Sequence, residues 1–168
     1  MKPNDQVPDL HLPLINDTEW TLKKQRPDAF TLLLFYRGIH CPACKKQLEE
    51  VVSHIDALVE RGVYVTAISM DTEERAKKTA QEWEIPNLPV AYDLTEEDAK
   101  SYGLYISEAI SDKEPAIFSE PGMFLVKPDG SLYFASIQKA PFTRPAISDL
   151  IKAMDFIKKE NYPSRGAR

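Results

Sequence analysis

Apolar residues are spaced along the chain in several distinct ways, and each spacing predicts an element. From Thr31 to Tyr36 they run almost without a break, Thr31-Leu32-Leu33-Leu34-Phe35-Tyr36, as in a strand covered on both faces of a parallel or mixed sheet. After Cys41 they recur at helical spacing, through Leu48, Val51, Val52, Ile55, Leu58 and Val59, until Gly62 closes the series as a C-terminal cap. One long amphipathic helix is expected there. Val63 to Ile68 is rich in β-branched residues and reads as the next strand. Asp71 and Glu74 then stand close to capping-box spacing for a second helix, through about Trp83.

Upstream, Val7 to Leu14 partly alternates and Asn16-Asp17 offers a turn before Trp20-Thr21-Leu22, which predicts a short hairpin. Downstream, Leu88 to Tyr92 reads as a short strand, and Thr95 caps a short helix toward Tyr102-Gly103. Leu104 to Glu120 has no clear period and is expected to be a long loop. Met123 to Lys127 and Leu132 to Ile137 flank Pro128-Asp129-Gly130-Ser131, a strong hairpin signal. Pro145 opens a closing helix with Ile147, Leu150, Ile151, Met154 and Ile157 on one face. The order, βαβ and later ββα, gives the α/β class: a central mixed β-sheet flanked by helices, with an N-terminal β-hairpin extension. No repeat, low-complexity tract or Gly/Ser linker interrupts the 168 residues, so a single domain spanning 1–168 is expected.

Charge and composition narrow the function. Against 26 acidic residues stand 21 Lys and Arg, a formal charge of -5, with no basic excess to neutralise a phosphate backbone, so nucleic acid is not an expected partner. No apolar segment approaches the roughly 20 residues of a membrane-spanning helix, so none is expected. Behind Met1 the chain reads Lys2-Pro3-Asn4-Asp5, without the apolar stretch of a secretory leader, and a cytoplasmic location is the expectation. The two cysteines, Cys41 and Cys44, are too few for a disulfide scaffold, and their spacing in a reducing compartment points to redox chemistry or metal.

Cys41-Pro42-Ala43-Cys44 falls between the buried strand and the amphipathic helix. Cys41 then occupies the helix start, with Pro42 at the favoured first position. Unpaired amides and the helix dipole stabilise a thiolate there, and Lys45 and Lys46 add positive charge. Three positions apart on one turn, the two sulfurs can meet. Cys41 can attack and Cys44 can resolve. Cys44 continues through Leu48, Val51 and Ile55 along the buried stripe, so Cys41 is expected to be the accessible thiol and Cys44 the shielded one. Two alternatives stand beside this: a pair of inert small hydrophobes, and a non-catalytic metal or redox-sensing module that also uses His40. No second Cys-x-x-Cys or matching His pair completes a zinc set, and no bound cofactor or metal is expected. His11 and His54 have no partner spacing. Adjacent acids such as Glu49-Glu50 diverge on a helix, and no Gly-rich phosphate loop or Gly-x-Ser-x-Gly elbow is present.

The segment Phe35-Tyr36-Arg37-Gly38-Ile39-His40-Cys41-Pro42-Ala43-Cys44 resembles the active-site segment of peroxiredoxin-like proteins. These belong to the alkyl hydroperoxide reductase and thiol-specific antioxidant (redoxin) family, within the thioredoxin fold. Val7-Pro8-Asp9-Leu10, Tyr102-Gly103-Leu104 and Phe124-Leu125-Val126-Lys127-Pro128-Asp129-Gly130 extend the resemblance, and Phe142-Thr143-Arg144-Pro145 and Tyr162-Pro163-Ser164-Arg165-Gly166 are similar to one subgroup. The resemblance implies a thioredoxin-like fold and an antioxidant oxidoreductase with Cys41 at the nucleophilic position and Cys44 in place of a resolving thiol. It also implies a peroxide or disulfide substrate and a thioredoxin- or glutathione-type reductant, and it allows a homodimer.

This sequence departs from the family pattern at the peroxide-gripping positions. Typical peroxiredoxins carry Pro-x-x-x-Thr/Ser-x-x-Cys, where this chain has Leu34 and Gly38 in the proline and hydroxyl positions. Their peroxide-polarising arginine corresponds to Pro121. That proline sits where thioredoxins place a cis-proline facing the cysteines, so a cis Glu120–Pro121 bond beside Cys41, shaping a substrate groove, is expected. Arg37, His40 and the more distant Arg144 are candidate modulators of the thiolate or of a bound peroxide. With two peroxide-binding groups absent, disulfide exchange is expected to be the better reaction.

Overall fold

In the computed structural model, which describes residues 1–168, the strands are β1 (His11–Pro13), β2 (Glu19–Thr21), β3 (Phe30–Phe35), β4 (Val63–Ile68), β5 (Val90–Ala91), β6 (Ile106–Glu108), β7 (Ile117–Ser119), β8 (Gly122–Val126) and β9 (Leu132–Ile137). The helices are α1 (Pro42–Ser53), α2 (Ile55–Glu60), α3 (Glu73–Glu82), α4 (Glu96–Ser101) and α5 (Ile147–Glu160). Five strands form a mixed sheet in the order β5-β4-β3-β8-β9, with β3 at its centre and buried along its whole length. β3 pairs in parallel with β4 and antiparallel with β8. The first pairing needs a helical crossover, and the segment carrying the cysteines supplies it.

Alternation along β3 assigns its side chains to two cores. Leu32 and Leu34 pack with Cys41, Cys44, Leu48 and Val51 of the α1 segment and with Ile147, Leu150 and Met154 of α5. Leu33 and Phe35 pack on the opposite face with Leu12 and Trp20 of the β1–β2 hairpin and with Ala99 and Tyr102 at α4. Both cysteines thus belong to the core beneath α1 and α5, where each fully buried Leu or Met side chain stabilises the fold by about 1.5–3 kcal/mol. The α/β class, the mixed sheet flanked by helices and the N-terminal hairpin are as the sequence predicts. No helix is long and apolar enough to cross a membrane.

Some elements differ from expectation. The single long helix after Cys41 is divided at His54, whose N–H closes a tight bond to the Val51 carbonyl at 3.0 Å. Ser53 Oγ and His54 Nδ1 both lie on the Glu50 carbonyl, at 2.6 and 2.9 Å, and take the acceptor that the next helical amide would have used. Thr72, rather than Asp71, caps α3, its Oγ1 accepting from Arg75 N. The last helix begins at Ile147, two residues after Pro145. The segment from Leu104 to Glu120 is no simple loop: it contains the antiparallel β6–β7 hairpin. Strands of three residues are too short to display a period, and their connection, 109–116, has none.

Candidate functional site

The chain leaves β3 at Phe35 and enters α1 at Pro42 through a short loop, Arg37 to His40, anchored from α3. Asp71, fully buried, accepts the Ile39 amide on Oδ2 at 2.8 Å and the Arg75 Nε–H on Oδ1 at 2.8 Å. A Cβ on Gly38 would lie 2.6 Å from Asp71 Oδ1, and Gly38 adopts φ +132°. Glycine is therefore required both by the backbone and by the carboxylate that pins the loop. The hydroxyl of the common peroxiredoxin pattern has no room at this position.

Cys41 is the N-cap of α1, with Pro42 in the first turn, and its Sγ accepts the Cys44 N–H at 3.2 Å. The two Cα atoms are 5.2 Å apart and the sulfurs lie at disulfide distance. The helix is intact around the pair, since Lys45 N still donates to the Cys41 carbonyl at 3.1 Å. The expected contrast in exposure is not found: Cys41 is 1% and Cys44 0% exposed. Cys41 stands at the helix start, as its position predicts, yet it is covered by side chains from other segments.

Arg144 is one of those covering groups and arrives from the strap between β9 and α5. Its Nη2 lies 3.1 Å from Cys44 Sγ and 3.7 Å from Cys41 Sγ. The fork is held by Gln47 Oε1 at 2.6 Å, accepting from Nη1, and by the Pro141 carbonyl at 2.9 Å, accepting from Nε. Burial, aided by the Arg37 charge and opposed by Glu120, brings the guanidinium down to about 10, which leaves it charged at neutral pH. The candidate modulator most distant in sequence is thus the one whose side chain reaches the sulfurs.

Arg37 and His40 are engaged elsewhere. The Arg37 guanidinium lies 4.5 Å over the Phe118 ring, with Nε 3.3 Å from Glu120 Oε2 and Nη2 3.8 Å from Glu114 Oε1. The 3.3 Å pair lacks hydrogen-bond alignment and is an ion pair rather than a bond. Ser107 Oγ donates to Glu120 Oε1 at 2.6 Å, so the β6–β7 hairpin is fastened over the loop through Arg37. What Arg37 gives the site is its backbone N–H, 3.4 Å from Cys44 Sγ. The His40 ring stacks edge-on against Phe118, and its Nδ1 lies 3.3 Å from Arg75 Nη2. Burial, with the Arg37 and Arg75 charges, holds its imidazole below the ordinary value against the pull of Asp71 and Glu114.

Pro121 corrects one expectation: no peptide bond in the chain is cis. The chain runs from β7 into β8 without a tight turn. Glu120 N–H bonds the Tyr105 carbonyl at 2.7 Å and the Pro121 carbonyl accepts Gln138 N–H at 2.9 Å, so pairing continues on both sides of a trans bond. The argument for a thioredoxin-like substrate groove at Pro121 falls with it. Sequence reasoning also missed Asp71, Gln47, Glu114 and Glu120. Gln47 was detectable as a polar residue one turn after Cys44 on the apolar stripe. The two glutamates lie in the segment without periodicity, and Asp71 reads locally as a cap.

Comparison with known proteins places this site in a family. The model of the AhpC/TSA family matches residues 3–135. A search of curated proteins finds no match. Among solved structures the chain is similar to the peroxidoxin BcpB of Mycobacterium tuberculosis, at 21% identity and TM-score 0.74 over 92% of this chain and 96% of that one. It is similar to the reduced 2-Cys peroxiredoxin of Plasmodium vivax, at 17% identity and TM-score 0.77 over 98% and 89%. It is similar also to AhpC of Mycobacterium tuberculosis, at 15% identity and TM-score 0.76 over 100% and 99%. These likenesses establish the thioredoxin-like fold of the peroxiredoxins, and the family match extends through the cysteine pair and both of its flanking strands. The chain belongs to the AhpC/TSA family of thiol-dependent peroxidases and oxidoreductases.

Proposed function

We propose that the whole chain acts as one redoxin domain that reduces a small hydroperoxide, with Cys41 as the attacking thiolate and Cys44 as the resolving thiol. The observation that carries this reading is the placement of both sulfurs, at disulfide distance and at most 1% exposed, across the first turn of α1 with Cys41 at its N-cap. The N-cap position favours the Cys41 thiolate through the Cys44 amide and the helix dipole. Attack on the peroxide breaks its O–O bond. One oxygen becomes the Cys41 sulfenic acid, and the other leaves as an alkoxide or hydroxide that takes up a proton. Cys44 then displaces the sulfenic oxygen, released as water, and forms the disulfide. Because the α1 hydrogen bonds are kept with the sulfurs paired, this step needs no unwinding of the helix.

Burial selects the substrate. Sulfurs enclosed to this degree admit a molecule of a few heavy atoms more readily than a folded protein disulfide, and with a trans bond at Pro121 the argument for a groove that favoured disulfide exchange is gone. Of the three candidate modulators, Arg144 is the one whose side chain supports the reading, while Arg37 and His40 act through the architecture of the loop. Both sulfurs, Arg144 and the Arg37 amide come from one chain, so a second subunit is not required for the chemistry. Turnover needs a dithiol or paired thiols, and the same enclosure favours small ones of the glutathione type over a folded protein of the thioredoxin type; the cytoplasm is the reducing compartment we assign. Rapid mixing of the reduced protein with hydrogen peroxide, an organic hydroperoxide and a protein disulfide tests the assignment. We expect a hydroperoxide to oxidise the pair fastest; faster oxidation by the protein disulfide would overturn it.

A further inference from the structure

We infer that Arg144 is first the counter-ion of the Cys44 thiolate: its guanidinium and the Arg37 backbone N–H form a thiolate-holding site at Cys44 Sγ that serves resolution and re-reduction more than the attack on peroxide. The inference rests on the roles proposed above for the two cysteines. Three distances carry it. Arg144 Nη2 is 3.1 Å from Cys44 Sγ against 3.7 Å from Cys41 Sγ, and Arg37 N–H points at Cys44 Sγ from 3.4 Å. Cys41 Sγ has the helix amide of Cys44 at 3.2 Å as its near donor. A charged and a neutral donor thus converge on the sulfur that a resolving role would leave in the ordinary thiol range.

The guanidinium is also preorganised for this. Gln47, one turn after Cys44 on the same helix, takes Nη1 at 2.6 Å, and the Pro141 carbonyl takes Nε at 2.9 Å. Both acceptors are neutral, and no carboxylate pairs with Arg144: the nearby acid, Glu120, is paired with Arg37. With the cysteines joined, a largely buried cation therefore lacks a contacting anion. Reduction supplies one, because cleavage of the disulfide leaves an anionic sulfur 3.1 Å from Nη2. Burying Gln47 and part of the Arg144 side chain costs desolvation, and a thiolate at Cys44 is the partner that offsets it.

The steps balance as follows. In resolution, the Cys44 thiolate attacks the sulfur of the Cys41 sulfenic acid, an S–S bond forms, the S–O bond breaks, and hydroxide leaves to be protonated to water. In re-reduction, a thiolate of a small dithiol reductant attacks Cys41 Sγ. The S–S electron pair goes to Cys44, which leaves as the thiolate held by Arg144 and Arg37 N–H. The second thiol of the reductant then displaces Cys41, so that the reductant is oxidised to its disulfide and both cysteines are reduced. A stabilised leaving thiolate speeds this exchange.

Of the charged groups about this site, Arg144 on the strap contacts the Cys44 sulfur, while Arg37 on the loop after β3 and Glu120 before β8 pair with each other and act on Arg144. The test isolates each sulfur. In Cys41→Ser protein the thiolate absorbance of Cys44 is titrated with Arg144 present, replaced by Met, or replaced by Lys. In Cys44→Ser protein the thiolate absorbance of Cys41 and its oxidation by hydrogen peroxide are measured with and without Arg144→Met. We expect Arg144→Met to lower the Cys44 acid dissociation constant at least about tenfold, as loss of an adjacent charge-assisted donor does, Arg144→Lys to restore most of it, and Cys41, 3.7 Å from the same nitrogen and held by the Cys44 amide, to shift in the same direction by less. Gln47→Leu, which frees the guanidinium without removing its charge, should move Cys44 in the same direction by less. An unmoved Cys44 titration overturns the inference, and so does a Cys41 shift as large as that of Cys44 when Arg144 is removed. Failure of the peroxide reading looks different: Cys44→Ser protein would be inert to peroxide with either residue at 144, while the Cys44 titration would still shift.

Discussion

At the scale of single residues, Gly38 and His40 decide how the loop before Cys41 is held. Gly38 adopts φ +132°, and a Cβ there would meet Asp71 Oδ1 at 2.6 Å. Gly38→Ala should destabilise the protein by at least about 1–3 kcal/mol from backbone strain alone, before the clash is counted, read as a lower urea midpoint. Gly38→Thr should lose stability as well and gain no peroxidase activity, even though it restores the residue type of the common pattern. His40 predicts a pH dependence. Its folded pKa lies below the ordinary value of about 6.5, mainly through burial. The unfolded chain therefore binds the proton first as pH falls, so stability is full above about pH 6.5 and is lost as pH drops from there toward the folded pKa. Comparing denaturation at mildly acidic and neutral pH for wild type and His40→Gln should show a smaller acid loss in the variant. Glycine at 38 could be read from the sequence as a departure from a pattern; its cause could not, because Asp71 is brought to it only by the β3–β4 pairing and the start of α3.

Between elements, the β6–β7 hairpin is fastened to the cysteine loop chiefly by Arg37, with the His40 ring against Phe118 beside it. Arg37 faces Glu120 and Glu114 with side-chain exposures of 16%, 4% and 11%. Arg37→Met leaves two largely buried carboxylates without their cation, for which a loss of about 3–5 kcal/mol is expected. Hydrogen exchange should then accelerate in residues 106–119 more than in β3. Equal acceleration in both would show that the hairpin is not held through this residue. The four longer strands of the central sheet and the helices over it were legible because each has enough residues to show a pattern. The β6–β7 hairpin was not, since each of its strands has three residues. The break at His54 was hidden for a different reason: Leu48, Val51, Ile55 and Leu58 keep helical phase across it, and the interruption comes from side chains taking the Glu50 carbonyl.

Over the whole molecule, the sheet brings together at one end groups that are far apart in sequence. Cys41 and Cys44 enter from the β3–α1 connection, Glu120 and Pro121 from the strand beside β3, and Arg144 from the strap after β9. The cysteine pair and its position at a helix start were legible because they depend on adjacent residues. The approach of Arg144 to the sulfurs was not, since about a hundred residues separate it from them and the fold alone joins them. The same fold closes the site, and this turns the reading from disulfide exchange toward a small hydroperoxide. The most direct test is trapping of the first oxidation product. Reduced Cys44→Ser protein is treated with one equivalent of hydrogen peroxide and then with a sulfenic-acid reagent, and the adduct is located by peptide mass spectrometry. The reagent should be found on Cys41, while wild type treated alike should carry the Cys41–Cys44 disulfide and no adduct. A wild-type protein that peroxide leaves fully reduced, or an adduct that forms on Cys44 in the Cys41→Ser protein as fast as on Cys41 in the Cys44→Ser protein, would contradict the account.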